Sequence, residues 1–528
     1  MMQDQNYDLI IVGAGMAGCI LAARIAENGI NPRNGEPLRI ALLEWGPYLK
    51  GEPKPGYGHP VRRRAFTNIV HEFREGGRYR TPWGKAKIVG GSGLHFGAQA
   101  FHPFDVDYLH WQQETGVDWT EANFEDAVQE VGTMFNLHPV PEQLLDVGQK
   151  LYQRAATKLG YSPQRMSHAR KNCFYCGLGC RDGQMSKYDS KMNSFVAHLP
   201  IAEKHGVEII PNTHVQKVIF EKKGTDFVAT GLWAEQGTET VRFSADRVLL
   251  SACEGGTPLL LYNSGYGPRD LLGKDLLVEN PNVGRNVDGK LRVSGFPAYF
   301  SFPIKDAGRG MPSAFYFFQG GTSDGYERLI LKESVSGLVL PDQLALNEMA
   351  PEFGLPHKRF MSTGGDHLAS TVSMQYKRRE PLRGHIQRDG QAVYPKSATN
   401  DRKAAQRLQE GLLIIQDIYK EMGAVQIGNF DPLLRELDTV GTLSAEQSSE
   451  SSPVRATHQS GSCRAGVDRQ NSVVNERFEC HDIKNLFICD LSVPPRVTYG
   501  NPGVAMVAHT ASFAWRRLVE DQFSRPSA

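Results

Sequence analysis

Tyr7-Asp-Leu-Ile-Ile-Val-Gly-Ala-Gly-Met-Ala-Gly18, running straight into Cys19-Ile-Leu-Ala-Ala-Arg-Ile-Ala26, decides the fold. The run from Tyr7 to Val12 is apolar and rich in β-branched residues, as a strand buried on both faces requires. It meets G-x-G-x-x-G without a spacer, and the residues that follow have the composition of a buried helix. Strand, glycine turn and helix in that order open a dinucleotide-binding unit. Gly13 permits the tight turn, Gly15 lets backbone approach a pyrophosphate, and Gly18 lets helix and strand pack closely. With Met16 and Ala17 they put the phosphates on the helix N-terminus. A second strand, Arg39-Ile-Ala-Leu-Leu-Glu44, ends in an acid placed to hold a ribose hydroxyl. The insert from Asn31 to Pro37 lengthens the unit slightly, and the motif alone does not separate NAD from FAD.

Composition bounds what such a unit is part of. With 528 residues, 40% of them hydrophobic, the chain exceeds what one core usually organises, so two intertwined or successive domains are expected. A net charge of +1 gives no electrostatic case for nucleic acid or an anionic membrane. No apolar run reaches the roughly 18 residues of a membrane span, and no basic segment precedes an apolar one at the N-terminus. The chain by itself therefore reads as cytoplasmic. Eight cysteines in so long a sequence do not make a disulfide framework.

Further strand-like pieces of the nucleotide unit are scattered along the chain, at Val207 to Ile210, Val215 to Phe220 and Asp246 to Ser251. Two long excursions, 111–204 and 291–449, separate them. In the second, a helical pattern from Ala404 to Met422 places Leu408, Leu412, Ile415 and Ile418 on one face, and Ala369 to Tyr376 reads as a strand. The reading is an α/β chain with a Rossmann-like nucleotide domain assembled from 1–110, 205–290 and 450–528. An α+β substrate-binding or cap domain is built from 111–204 and 291–449. Near the C-terminus stand His458-Gln-Ser-Gly-Ser-Cys-Arg-Ala-Gly466, Asn485-Leu-Phe-Ile-Cys-Asp490 and Gly500-Asn501-Pro502.

These blocks carry a resemblance. Gly13 to Gly18 with Glu44, Gly90-Gly-Ser-Gly-Leu-His-Phe96, Ala252 to Leu260, Val283 to Val287 and the stretch from His458 to Pro502 stand in the order of the glucose-methanol-choline oxidoreductase family. The chain resembles that family over nearly its full length. The resemblance implies FAD rather than NAD, and a cap domain whose antiparallel sheet roofs the flavin. It implies flavin contacts from Gly91, Ser92, His95 and Phe96, from the backbone of Val215 near the adenine, from Asp490 near the ribityl or pyrophosphate, and from Asn501 and Pro502. Tyr376 and His367, in the presumed substrate-domain sheet, have two readings, facing the pocket or packing in the core, and core packing is the one taken.

Moving a hydride from a carbinol carbon to a flavin is easier if the hydroxyl proton leaves at the same time, which calls for a neutral imidazole. His458 is the candidate base, and the Asn501 amide the donor that orients the substrate oxygen. The expected reaction is oxidation of a small-molecule alcohol, such as a sugar, polyol or aromatic alcohol, to the carbonyl. The alternatives are an oxygen-using oxidase that makes hydrogen peroxide and a non-redox flavin-dependent lyase. Taken without the other motifs, His458 could cap a loop and Asn501 form an Asn-Pro turn. His95 lies where some members of the family attach the flavin covalently; the other reading is packing against a non-covalent flavin.

Cys173-Phe-Tyr-Cys-Gly-Leu-Gly-Cys180 puts Cys173, Cys176 and Cys180 within eight residues. Spacing of this kind serves iron-sulfur or zinc ligation. It is similar to the flavin subunits of bacterial sugar dehydrogenases, where three cysteines hold an iron-sulfur cluster. Zinc with His168, a disulfide and plain reduced thiols stay open. A cluster would make the enzyme a dehydrogenase serving a cytochrome or quinone, with a small partner subunit. The resembled subunits reach the periplasm by co-export with that partner, which is the alternative location.

Overall fold

The computed structural model describes residues 5–50, 86–94, 96–173, 189–294, 298–304, 313–333, 354–369, 373–390, 392–395, 401–427 and 455–524. Strand β1 (Gln5–Val12) runs into a glycine turn and helix α1 (Met16–Asn28), whose residues are buried on nearly every side. This matches the continuous apolar character of both segments. β1 lies between strand β2 (Ile40–Leu43) and the long strand Glu239–Leu250, parallel to each. Glu208–Ile210 extends the sheet beyond β2, and Leu486–Ile488 adds in parallel to the C-terminal end of Glu239–Leu250. The other half of that strand turns into an antiparallel meander with Asp226–Gln236 and Thr213–Lys223. The eight-stranded sheet is thus gathered from separated parts of the chain.

A second, six-stranded sheet is antiparallel throughout. Its order is Arg455–Ser460, Asp288–Ser294, Ser373–Tyr376, Leu329–Lys332, Phe315–Gln319 and Gln164–Arg165. Helix Arg402–Glu421, capped by the Asp401 carboxylate, covers one face and buries Leu408, Leu412, Ile415 and Ile418, the face its periodicity predicts. A β-carbon on Gly411 would lie 2.7 Å from Met374 Sδ, so this glycine lets helix and sheet approach closely. Side chains alternate along a strand. With Leu329, Leu331 and Met374 under the helix, Lys290, Arg292, Lys332 and Gln375 project from the opposite face.

Segments on either side of the sequence boundaries cross between the two sheets. Leu199–Lys204 packs against α1, and Glu121–Met134 against the last helix, His509–Gln522, where Phe124 stacks on Phe513 at 4.1 Å. The strand Arg455–Ser460 belongs to the six-stranded sheet, so His458 reaches the site from the roof. Buried apolar residues from both sheets form one continuous core. Tyr376 is buried there, and His367 Nδ1 bonds the carbonyl of Phe300 at 2.9 Å. No helix among the described residues is long and apolar enough to cross a membrane.

Candidate active site

The glycine turn after β1 is closed by protein on two sides and open on the third. A β-carbon on Gly13 would strike the carbonyl of Ser251, and one on Gly18 the carbonyl of Gly13. Gly90 donates its N–H to the carbonyl of Ala14 at 2.7 Å, which docks the helical turn Gly91–Leu94 onto the same loop. Gly91 has φ +55°, and its β-carbon would come within 2.8 Å of Gly15 Cα. Gly15 itself faces open space, with no atom of the described residues within 4 Å of its β-carbon position. That opening, at the N-terminus of α1, is the shape and polarity a pyrophosphate needs. The Met16 side chain lies between the helical turn and the C-terminal segment: its Cε is 3.2 Å from the β-carbon position of Gly93 and 3.7 Å from that of Gly503. Phe96 flanks Gly503 as well.

Glu44, at the end of β2, is buried and accepts the N–H groups of Ala14 at 3.0 Å and Gly46 at 2.8 Å. Burial raises its pKa to about 7, against the pull of those backbone donors and of Lys87. Val215 sits half-buried in the meander, at a register shift before Lys217. Asp490 is buried and commits its oxygens to protein donors: Cys253 N at 2.8 Å, Thr257 Oγ1 at 2.5 Å and Ser492 N at 2.7 Å. Its direct role is to hold the turn after Leu250 against the turn after Ile488. Ser92 is exposed and accepts from Ala86 N at 3.3 Å.

Two lysines that sequence reading passed over, Lys290 and Lys332, hold Asn501 and its turn and lie near enough to His458 for their charge to act on the imidazole. Opposite Gly289 the strand Arg455–Ser460 carries two residues, His458 and Gln459, where regular pairing has one. The bulge gives His458 φ +62° and re-aims its side chain. His458 Nδ1 is enclosed without a hydrogen-bond partner among the described residues. Burial, then the charges of Lys290, Lys332 and Arg292, hold the imidazole's pKa well below the usual histidine value. Asn501 stands just before Pro502, which opens a wide π-turn, Gly503–Ala508, leading into the last helix. Its Oδ1 accepts from Lys332 Nζ at 2.6 Å, and its Nδ2 donates to Gln99 Oε1 at 2.7 Å. Gln99 Nε2 donates onward to Ser313 Oγ at 2.7 Å, and Lys332 also donates to Gln375 Oε1 at 3.2 Å. Asn501 thus turns its oxygen to Lys332 and its amide nitrogen to Gln99, and burial, then the charges of Lys290 and Arg292, pulls the Lys332 pKa well below the usual lysine value. The second N–H of the Asn501 amide is left to give. Lys290 Nζ donates to the carbonyls of Tyr499 and Gly500, fixing the turn on which Asn501 rides.

Models of the GMC oxidoreductase family match residues 7–290 with its N-terminal part and 383–510 with its C-terminal part. The chain belongs to the GMC oxidoreductase family. Among its relatives, a long-chain-alcohol oxidase of Arabidopsis thaliana is 22% identical over 94% of this chain and 65% of its own length. The chain therefore spans slightly less than two thirds of that protein. An oxygen-dependent choline dehydrogenase of Pseudomonas syringae pv. tomato is 24% identical, covering 95% of this chain and 91% of its own. Pyridoxine 4-oxidase from Mesorbium loti shares the fold with a TM-score of 0.72 at 17% identity, covering 98% of this chain and all of that one. The GMC members are flavoproteins that bind FAD, and the open cradle at Gly15, the Glu44 carboxylate and the Met16, Phe96 and Gly503 cluster fit a flavin dinucleotide.

In this GMC oxidoreductase His95, Cys176 and Cys180 lie outside the described residues. Cys173 is half-buried, 3.9 Å from Arg170 Nη1. Among the described residues no group of three or more His, Cys, Asp or Glu is arranged to hold a metal. The Nε2 of His168, the zinc alternative, is bonded to the carbonyl of Ser313 at 2.6 Å. The residues missed from sequence are Gln99, Lys290 and Lys332. The signal for Lys290 is charge at alternate positions, Asp288, Lys290 and Arg292; Lys332 is a lone charge ending the apolar run Leu329-Ile-Leu-Lys332, and Gln99 carries no such mark.

Proposed function

We propose that this chain oxidises a small-molecule alcohol to the carbonyl, with His458 as the base and Asn501 as the donor that orients the substrate oxygen. The observation that carries the reading is the pairing of an imidazole kept neutral by burial and by three cations with an amide locked on both sides by Lys332 and Gln99. A neutral imidazole takes the hydroxyl proton, and the remaining N–H of Asn501 stabilises the charge that builds on the oxygen. FAD, when bound at the Gly13 to Gly18 turn, supplies the two-electron acceptor for the hydride. The names of the relatives, an alcohol oxidase and a choline dehydrogenase, support the same chemistry.

An anaerobic screen of alcohols that follows loss of flavin absorbance tests it. His458→Ala and Asn501→Ala are expected to stay yellow and to lose flavin reduction by about 10²–10⁴-fold and 10²–10³-fold respectively. Conversion of substrate without any bleaching would instead mark a lyase. Iron bound through Cys173, Cys176 and Cys180 would make the chain a dehydrogenase that passes electrons singly to a cytochrome or quinone. Iron-free protein that makes peroxide would be an oxidase. Acid precipitation reads the bond to His95: attached flavin stays with the pellet.

A further inference from the structure

The roof over His458 and Asn501 carries positive charge that alcohol oxidation by itself does not need. Lys290 and Lys332 are 1% and 2% exposed. Lys332 meets no carboxylate among the described residues and donates to the amide oxygens of Gln375 and Asn501; Lys290 donates to backbone carbonyls, with the Asp107 carboxylate near enough to favour its charge. Arg292 projects from the same face, beside Gln375 in register. The contrast is Lys377, next along that face, which does have a counter-charge in Asp107 at 2.9 Å. Lys332 also lies over the Phe101 ring at 4.8 Å, and burial pulls its pKa well below the usual lysine value; an amine so enclosed keeps its charge when an anion joins it and otherwise gives up the proton. Lys290 has a structural use in holding the Tyr499 and Gly500 carbonyls. Lys332 does not need its charge to orient Asn501, since a neutral donor would do so, and its third N–H has no acceptor among the described residues.

We infer that the substrate is a 2-hydroxy carboxylate, whose carboxylate is received by Lys332 and Arg292 while its hydroxyl lies between His458 and Asn501. This rests on the alcohol-oxidation reading and narrows it. The anion is a carboxylate because of where the cation stands: Lys332 Nζ is 2.6 Å from Asn501 Oδ1, so an anion on Lys332 lies within a bond or two of the carbinol carbon. A carboxyl group bonded directly to that carbon meets this, whereas a phosphate ester is set back by a further carbon and oxygen. In the reaction the C2–H bond breaks and its hydride, with both electrons, passes to FAD. The hydroxyl proton passes to His458 and C2=O forms, leaving a 2-oxo acid and reduced FAD with the carboxylate unchanged. After burial, the same cations are what hold the His458 imidazole's pKa down. An anion seated among them restores basicity as substrate arrives.

The test uses the FAD-loaded protein and two readouts. Oxalate, titrated under anaerobic conditions, is expected to perturb the flavin absorbance saturably, with affinity at least tenfold weaker in Lys332→Gln and in Arg292→Gln variants that retain flavin. Flavin reduction is then compared for mandelate and lactate against their amides, with benzyl alcohol and glycerol 3-phosphate as further arms. At least a tenfold preference for acid over amide, reduced in either variant, supports the inference. Equal reduction by acids and amides, a preference for glycerol 3-phosphate, or oxalate affinity untouched by both substitutions overturns it. Lys332-dependent oxalate binding without flavin reduction by any alcohol would leave the carboxylate seat standing and remove the oxidation reading.

Discussion

His458 combines two features that each cost free energy. A β-carbon residue held in the left-handed region, here at φ +62°, is strained by about 1–3 kcal/mol, and an imidazole enclosed beside Lys290, Lys332 and Arg292 forgoes its proton. Sites that need a base tolerate such strain when the surrounding structure fixes it, and here the bulge opposite Gly289 does so. The folded pKa lies well below the usual 6.5, so in the free enzyme the base stays neutral as pH falls through that value. The acid limb of kcat/KM for flavin reduction is therefore expected well below pH 6.5, and stopped-flow reduction across pH 5–8 checks it; a limb at pH 6.5 contradicts it. The sign for stability follows. Below about pH 6.5 the unfolded chain takes up a proton that the folded histidine refuses, so this residue's contribution to stability falls as pH drops. The motifs that make His458 and Asn501 candidates are local, so a sequence displays them. The supports of Asn501 are not local: the Lys332 and Gln99 bonds to Asn501 span 169 and 402 residues, and no spacing rule reaches that far.

At the scale of elements, the glycines of the nucleotide turn separate into those filled by protein and the one left open. Gly91 combines φ +55° with a β-carbon position 2.8 Å from Gly15 Cα. Gly91→Ala must therefore move the helical turn off the glycine loop, at about 1–3 kcal/mol. Gly15→Ala meets no atom of the described residues within 4 Å and has an ordinary φ of −75°. The expected outcome is a contrast. Gly91→Ala lowers both the melting temperature of the apoprotein and its flavin content, whereas Gly15→Ala leaves the apoprotein's melting temperature unchanged and weakens FAD binding tenfold or more. Equal FAD affinity in wild type and Gly15→Ala would move the pyrophosphate elsewhere. Apolar runs on either side of the glycine motif were enough to read β1 and α1, and periodicity was enough to read helix Arg402–Glu421. Neither could place Arg455–Ser460 in the roof rather than in the nucleotide sheet. A short strand's partners are chosen by cross-strand pairing with Asp288–Ser294, and pairing leaves no mark within the strand itself.

Across the whole molecule, the segment that delivers Asn501 is fastened to the roof and to the helix Asp105–Thr115 by buried charge. Arg496 is 1% exposed. Its Nε meets Asp288 at 3.0 Å, its Nη1 meets Glu114 at 3.1 Å, and it donates to the carbonyls of Arg378 and Arg379. Three residues on, Tyr499 donates its N–H to Asp107 at 3.1 Å, and the same carboxylate pairs with the fully buried Lys377. These contacts are side-chain and long-range, so neither the resemblance nor the motifs mark them, although Asp107 and Arg496 decide where the Asn501 turn sits. Removing one member of such a set leaves the others charged and enclosed, a loss of about 3–5 kcal/mol. Asp107→Asn and Arg496→Met are each expected to lower the unfolding free energy by that amount, and the urea midpoint in proportion. Because the fastening joins roof to nucleotide unit through one continuous core, flavin release and loss of secondary structure should shift together in the same titration. Flavin fluorescence appearing at the wild-type midpoint in either variant would mean that the cradle is stable without this clamp.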